Sequence, residues 1–317
     1  MQEWIVTQTD APRLEAVLRA RFPQLPAGAL YKYVRENKIK VDGKRQPLSA
    51  RLTAGSVVRV YLPDALLCPP AGPSFLAARA QLTVVYEDSA VLAVEKPAGL
   101  LVADEKEDTA DTLIHRVWLY LYQKGEYALD TTFSPCLCHR LDTGTSGLVL
   151  IAKTVEAEQA LLTLIREREI EKQYLCVTVG HPKPPAGELH GYLTKDAQNS
   201  FVRVTDKPAH GAKQIVTRYR TLTVSGRLAL LDVTLVTGRT HQIRAHMAHI
   251  GCPVLGDSKY GDQAVNRALR LKYQALCAYR LRFPSLPPDS PCAALSGKTL
   301  CAASPWYVEQ VQNGILK

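Results

Sequence analysis

Apolar side chains in the first sixty residues recur at two different spacings. In residues 12–22 and 29–37 they return every three or four positions, which predicts two short helices, each with one apolar face. Residues 39–44 lead into an Asp-Gly turn and residues 56–61 alternate apolar with polar side chains, so both segments are predicted to be strands. These elements predict a small α+β domain over residues 1–62.

Prolines mark the end of this small domain. Residues 68–73 read Cys-Pro-Pro-Ala-Gly-Pro, and proline-rich segments of this kind form extended spacers between domains. We therefore predict a linker over residues 63–81 and a second, larger domain over residues 82–317.

The larger domain contains runs of strands with few helices between them. The apolar patterns predict strands at 82–88, 148–153, 174–179, 214–222 and 229–236, and helices at 111–123 and 155–168. Such an order favours an α+β fold with a mixed, mainly antiparallel sheet flanked by helices over a doubly wound parallel sheet.

Positive charge is concentrated at the start of the chain. The protein of 317 residues carries a formal net charge of +9, and residues 1–62 hold 11 Lys and Arg against 5 Asp and Glu, a net of +6. A basic module of this kind suits a polyanionic partner such as RNA. A protein that is merely basic would show the same overall charge, but not the same concentration in one domain.

The cysteines and the apolar runs indicate where the protein works. None of the eight cysteines forms a C-x-x-C pair, and most lie in apolar stretches, so buried free thiols in a reducing compartment are expected. The sequence shows no signal peptide at its start and no apolar run near the roughly 20 residues of a membrane helix. We expect a soluble, cytoplasmic protein without membrane contact.

One segment places a carboxylate where chemistry can use it. Residues 139–147 read His-Arg-Leu-Asp-Thr-Gly-Thr-Ser-Gly, and a buried strand follows directly. Asp142 thus lies at the mouth of a rigid strand among basic side chains and small hydroxyls, as a reacting carboxylate would. The simpler interpretation is a turn aspartate that caps the residues after it.

The wording of this segment resembles the signature of the RluA-type pseudouridine synthases, enzymes that convert uridine in RNA to pseudouridine. Residues 95–99 (Glu-Lys-Pro-Ala-Gly), 171–175 (Glu-Lys-Gln-Tyr-Leu) and 236–246 (Val-Thr-Gly-Arg-Thr-His-Gln-Ile-Arg-Ala-His) resemble further motifs of the family, in the family's order. The resemblance covers residues 82–283. The segment 12–62 is similar to the small RNA-binding module first known from the ribosomal protein S-four.

This resemblance implies roles for three residues. Asp142 would be the essential aspartate, acting as a nucleophile on the sugar or by removing a sugar proton, and the sequence leaves both routes open. Tyr174 would stack on the uracil, although a tyrosine on a strand also fits a plain core position. Arg239 would form an ion pair with Asp142 and keep the carboxylate ionised.

The resemblance also implies a central cleft and residues that bind the nucleotide taken out of its stack. The expected substrate-binding residues are His139, Arg140, Thr240, Gln242, Ile243 and Leu276. Ile243 and Leu276 would form an apolar wall beside the base, and each is equally plausible as core. Two departures from the family pattern put the RNA contacts and the target in doubt: Ala103 follows Val102 where the family has His-Pro, and Cys277 replaces a histidine.

The reaction is redox-neutral, so the resemblance implies neither cofactor nor metal. A metal site at His241, His246 and His249 is a weaker hypothesis, because no H-E-x-x-H spacing is present. The expected partner is ribosomal RNA, with the large subunit favoured, or transfer RNA, and the protein is expected to be a monomer. Two alternatives stay open: an inactive RNA-binding or ribosome-assembly factor, and a nucleoside hydrolase or glycosidase.

Overall fold

The computed structural model describes residues 2–7, 13–22, 25, 27–62, 73–104, 109–196 and 201–317. The chain divides into two compact units, one of Met1–Ala78 with Asp104–Ala110 and one of Arg79–Ala103 with Asp111–Lys317. Residues 63–72 of the expected linker lie outside the described residues, and its remainder contains a 3-10 turn at Ser74–Ala77.

The first unit is a small α+β unit, as its apolar spacing predicts. Its elements are β1 Gln2–Ile5, α1 Leu14–Arg21, α2 Ala27–Arg35, β2 Ile39–Val41 and β3 Val57–Val60. The three strands form an antiparallel sheet in the order β1-β3-β2. Buried Leu14, Leu18, Leu30 and Val58 pack both helices against that sheet. β1 was not expected, because only four residues with half-exposed side chains form it.

The second unit is built on one large sheet. Its strands are β4 Thr83–Glu87, β5 Val91–Lys96, β6 Cys136–Leu137, β7 Ser146–Ala152, β8 Glu171–Val179, β9 Ala186–Asp196, β10 Phe201–Thr205, β11 Lys213–Ser225, β12 Leu228–Leu235, β13 Leu276–Arg282 and β14 Thr299–Cys301. Its helices are α3 Leu113–Gln123, α4 Val155–Arg166, α5 Gln242–His249, α6 Gln263–Ala268 and α7 Trp306–Gln312, and a 3-10 turn spans Ala293–Leu295.

Among the described residues, eleven strands form this sheet. The main order is β10-β9-β11-β12-β8-β13-β7-β5-β4, with β14 on β13 and β6 on β7. The pair β13–β7 is parallel, whereas the other strand pairs in the described part of the sheet are antiparallel. The expected α+β class with a mixed, mainly antiparallel sheet is confirmed.

Two apolar cores cover the two faces of this sheet, because successive side chains of a strand point to opposite sides. On one face Leu175 and Val177 pack with α4 and α7. On the other, Tyr174 and Cys176 pack with α3 and α5. The second face carries the site described below.

The described residues contain no helix with the length and hydropathy needed to cross a bilayer. The seven cysteines in the described part of the chain are free thiols, and five of them are buried.

Candidate active site

A cleft of about 690 Å³ opens on the α5 side of the sheet in the second unit. It brings together all nine site residues expected from the sequence: His139, Arg140, Asp142, Tyr174, Arg239, Thr240, Gln242, Ile243 and Leu276. They come from four separate stretches of the chain. Each motif predicts its own residues, and the fold brings the four stretches together in one cleft.

Asp142 lies in a turn between β6 and β7 that is fastened to the end of β5. The ammonium of Lys96 is buried and donates to the carbonyls of Pro97, Leu100 and Thr143, at 3.0, 3.0 and 3.1 Å. The backbone N–H of Gly99 donates to the same Thr143 carbonyl at 2.7 Å. Burial lowers the pKa of Lys96 to about 8, although the charge of Asp142 opposes this shift. These two bonds to the Thr143 carbonyl therefore hold the turn at the residue directly after Asp142.

The start of β7 is fixed by close backbone packing. Gly147 has φ of +111°, and a Cβ on it would lie 2.3 Å from the carbonyl oxygen of Ala278 on β13. A side chain cannot fit between two backbones at this distance, so the parallel pair requires glycine here. Gln274 adds a hydrogen bond from its Nε2 to the hydroxyl of Thr145 at 3.0 Å. The Asp142 turn is thus clamped from both sides.

Arg244, not Arg239, makes the ion pair with Asp142. Its Nη1 donates to Oδ2 of Asp142 at 2.8 Å, and its Nε and Nη2 donate to the buried carboxylate of Asp257 at 2.6 and 2.9 Å. Among the described residues Arg239 makes no ion pair, and its side chain is exposed. The expected Arg239–Asp142 pair is therefore wrong, because α5 begins at Gln242 and directs Arg244 inward.

Burial and charge act in opposite directions on this group. Burial favours the neutral forms, but the hydrogen bonds with Asp257 and Asp142 raise the pKa of Arg244 well above its usual range. Burial would also raise the pKa of Asp257, yet the bonds from Arg244 and from the backbone N–H groups of Lys259 and Tyr260 lower it overall. The result is a cation fixed in place by two carboxylates.

His241 faces the same carboxylate. It precedes α5 in a left-handed conformation with φ of +54°, and its Nε2 lies 3.8 Å from Oδ2 of Asp142. Its Nδ1 lies 3.0 Å from the hydroxyl of Tyr260, which also accepts the N–H of Val202. When the Tyr260 hydroxyl donates this bond, His241 carries its proton on Nε2, toward Asp142. Burial lowers the pKa of His241, although the Asp142 charge opposes this.

The opposite wall of the cleft is apolar. Tyr174 on β8, Ile243 on α5 and Leu276 on β13 are each at most 9% exposed and belong to one core cluster. Burial, and then the charge of Asp142, raises the pKa of Tyr174 well above its usual range, so the phenol stays protonated. A planar base has an aromatic ring and two aliphatic side chains to lie against beside the carboxylate.

Two of the expected substrate-binding residues already make hydrogen bonds within the protein. The amide of Gln242 accepts from Thr237 and from the N–H of Arg239, and it donates to Val216 and Thr217. Gln242 is 2% exposed and has no free donor, so it supports the turn that carries Arg239 instead of binding substrate.

His139 also makes a bond within the protein, because its Nε2 accepts the N–H of Leu150 at 3.1 Å. It lines the cleft, but this nitrogen is no longer available to a ligand. Arg140 and Thr240 line the cleft with exposed side chains, and their RNA contacts stay predictions.

The histidines considered for a metal site have other partners. The Nδ1 of His246 lies 3.0 Å from the hydroxyl of Thr217, and the Nε2 of His249 lies 2.8 Å from a carboxylate oxygen of Asp206. No group of three or more His, Cys, Asp or Glu side chains suited to a metal ion is found within the described residues.

Comparison with known proteins gives the family. A family model described as RNA pseudouridylate synthase matches residues 90–249, a stretch that contains Asp142, Tyr174, Arg239 and Arg244. The chain belongs to this family. This RNA pseudouridine synthase is an isomerase, and the expectation drawn from its motifs is confirmed.

Relatives of the synthase match over most of its length. Ribosomal large subunit pseudouridine synthase C of Rickettsia bellii (strain RML369-C) is 33% identical over 268 residues, which cover 81% of this chain and 85% of the relative. Ribosomal large subunit pseudouridine synthase D of Buchnera aphidicola subsp. Schizaphis graminum (strain Sg) is 32% identical over 252 residues, 78% of this chain and 75% of the relative.

A solved structure described as Human RNA Pseudouridylate Synthase Domain Containing 4 shares the fold, with a TM-score of 0.58 at 22% identity. The match covers 74% of this chain and 92% of the human one.

The site residues that sequence reasoning missed are Lys96, Asp257, His241 and Arg244. Lys96 and Arg244 lie inside the quoted motifs, but only the fold shows that their side chains turn toward Asp142. The two oxygens of Asp142 differ: Oδ2 accepts a hydrogen bond from Arg244, whereas Oδ1 has no hydrogen-bond partner among the described residues. The synthase thus presents one anchored and one available carboxylate oxygen beside an apolar wall.

Proposed function

We propose that this synthase isomerises a uridine of large-subunit ribosomal RNA, with Asp142 as its essential carboxylate. The observation that carries the assignment of Asp142 is its geometry. Arg244 holds one oxygen at 2.8 Å, and Asp142 lines a cleft together with Tyr174, Ile243 and Leu276. The choice of RNA is supported by the relatives named ribosomal large subunit pseudouridine synthase.

In this proposal the uridine is taken out of its stack and its base lies against Tyr174. The bond from the sugar to the ring nitrogen breaks, the uracil rotates, and the same sugar carbon is rejoined to a ring carbon. That ring carbon gives up its proton, and the freed ring nitrogen takes one up. Oδ1 of Asp142 acts either by attack on the sugar or by removal of a sugar proton. Arg244 holds Oδ2 of Asp142 in place in both routes.

The first unit would bind RNA through its basic helices. Residues 1–62 carry the excess of +6, and their two helices followed by short strands resemble the S-four-like module. We propose the division into this module, a linker at 63–81 and a catalytic domain at 82–317, in a monomer that acts in the cytoplasm without cofactor or metal. Arg239, Arg140 and Thr240 would contact RNA around the cleft.

The test is the exchange Asp142→Asn, which keeps the shape of the side chain but removes its basicity and nucleophilicity. We expect tritium release from RNA labelled at uridine C5 to fall by at least roughly 10³-fold, as for other essential catalytic groups. RNA affinity and thermal stability should stay near wild type. Glu167→Gln, an exposed acid whose side chain is 55% accessible, is the matched control and should retain full activity.

Activity of Asp142→Asn within tenfold of wild type would remove this carboxylate from the mechanism. An inactive wild-type protein that still binds ribosomal RNA would favour the alternative of an assembly factor. The target is tested by mapping pseudouridines in cells with and without the gene. Loss of a transfer RNA pseudouridine, with ribosomal RNA unchanged, would overturn the ribosomal assignment.

A further inference from the structure

Lys172 is a cation of the cleft with no role in the arrangement around Asp142. It lies on β8 two residues before Tyr174, so both side chains point to the same face of the sheet. It lines the cleft together with His139, Leu235 and Leu276. Its side chain is half-buried, and burial lowers its pKa.

Within the described part of the chain, the ammonium of Lys172 has no protein acceptor. Among the described residues no carboxylate lies within 4.0 Å of it, and it makes no hydrogen bond, whereas Lys96 has three carbonyl acceptors. His139 does not fill this role, because its Nε2 already accepts the N–H of Leu150. Burial, and then the charge of Lys172, lowers the pKa of His139 to about 3, so the ring stays neutral.

Such an arrangement is unfavourable in the free protein. Withdrawing a charge from water, even in part, costs free energy unless a partner or hydrogen bonds compensate, and Lys172 has no such protein partner among the described residues. Asp142 is the one carboxylate in the described lining of the cleft, and it pairs with Nη1 of Arg244 at 2.8 Å, not with Lys172. The unmet charge of Lys172 therefore fits an anion supplied from outside.

We propose that Lys172 forms an anion subsite that binds a phosphodiester group flanking the ribose of the target uridine. The inference rests on the proposed function and names a contact that positions the flipped nucleotide. A phosphate is favoured over a uracil oxygen, because a neutral acceptor leaves the charge uncompensated. The base already has its own wall at Tyr174, Ile243 and Leu276.

The stability of the free protein distinguishes a ligand-binding role of Lys172 from a structural one. If Lys172 serves the ligand, Lys172→Met removes an uncompensated charge, and the apparent melting temperature of the free protein should stay the same or rise. If Lys172 supports the fold, the same exchange lowers it. Lys172→Arg keeps the positive charge and should retain most of the RNA affinity.

The decisive experiment neutralises the phosphate as well as the lysine. Short RNAs carry a methylphosphonate on the 5′ or the 3′ side of the target uridine. Each is compared with an RNA that has the same 2′-O-methyl group before the linkage and a normal phosphate. Affinity is measured by fluorescence anisotropy, and turnover by tritium release under single-turnover conditions.

We expect the wild type to lose roughly 10–100-fold in affinity with a methylphosphonate at one of the two positions, the usual loss for a hydrogen bond to a charged group. Lys172→Met should lose a similar factor with normal RNA and lose little more with the modified one. Lys172→Arg should keep the wild-type sensitivity, and so should the control Lys213→Met, which changes an exposed lysine of β11.

Independent losses at both positions in Lys172→Met would overturn the subsite, and so would a wild type that is insensitive at both. The binding measurement needs no turnover. A wild type that fails to release tritium but shows the coupling in affinity would therefore contradict the proposed function and leave the subsite standing.

Discussion

Arg244 and Lys172 both bring positive charge to one cleft, but their surroundings differ. Arg244 donates to two carboxylates, whereas Lys172 has no acceptor among the described residues. The first region is complete in the free protein, so its geometry exists before any ligand arrives. In our proposal the second is completed only when an anion binds. One cleft would thus combine a prearranged carboxylate with a binding position that depends on its ligand.

Lys96 shows a third way to hold a cation near Asp142. It is fully buried, but three backbone carbonyls accept hydrogen bonds from its ammonium. These carbonyls are neutral, so burial still lowers its pKa. Arg244 thus has charged acceptors, Lys96 has neutral ones, and Lys172 has none among the described residues. We expect substitutions of these cations to differ in their effects.

The largest effect is expected for Arg244→Met. The exchange leaves the carboxylate of Asp257, which is 0% exposed, buried without its partner. Loss of one member of a buried pair lowers the free energy of unfolding by about 3–5 kcal/mol. Activity should fall with it, because Asp142 loses the group that fixes Oδ2. Urea unfolding and tritium release measure the two effects.

Arg239→Met is the matched control for this prediction. Its side chain is exposed and unpaired within the described residues, so its free energy of unfolding should change by no more than about 0.5 kcal/mol. If Arg239→Met were the less stable variant and Arg244→Met unfolded like wild type, the assignment of the ion pair to Arg244 would be wrong.

A smaller, pH-dependent effect is expected for Lys96. Its folded pKa of about 8 lies below the ordinary 10.5, so between these values the unfolded chain binds more protons, and stability rises with pH. The gain approaches about 3 kcal/mol across that range, at about 1.36 kcal/mol per pH unit. Lys96→Met lacks this contribution. The free energy of unfolding of both proteins is compared from pH 7.5 to 10.5, and parallel profiles would contradict the prediction.

The smallest effect concerns the first unit. Lys32→Gln with Arg35→Gln removes two basic side chains from α2. If both contact phosphates, the slope of log affinity against log salt should become shallower by roughly 0.7–0.9 per lost contact. RNA titrations at several salt concentrations measure the slope. Arg220→Gln with Arg227→Gln on the second unit controls for net charge, and an unchanged slope in the first pair would show that α2 does not contact RNA.

Much of the fold could be predicted because its elements carry clear periodicity. The expected helix at 155–168 is α4, which ends two residues earlier, and the strand expected at 229–236 is β12. The strands β9 and β10 were not expected. In β9 buried positions are few and exposed ones many, so the apolar pattern is weak.

The site could be predicted as a set of motifs but not as a set of contacts. Arg239 and Arg244 lie in the same motif, and both could reach a carboxylate. The choice depends on where α5 begins, and His241 decides this by taking a left-handed conformation directly before Gln242. Local spacing gives no sign of that conformation in a histidine. The place of β13 between β8 and β7 is likewise a long-range property that periodicity does not encode.

The parallel pair of β7 and β13 also bears on the stage of folding at which the turn at Asp142 forms. The bond from Gln274 to Thr145 joins residues 129 positions apart, and Gly147 meets Ala278 across a similar distance in sequence. Closing so long a loop costs chain entropy before the contact stabilises anything, which slows folding. We therefore expect the turn at Asp142 to reach its final form only after β13 has joined the sheet. A chain that stops short of β13 would contain the motif around Asp142 in its sequence without the contacts that hold this turn.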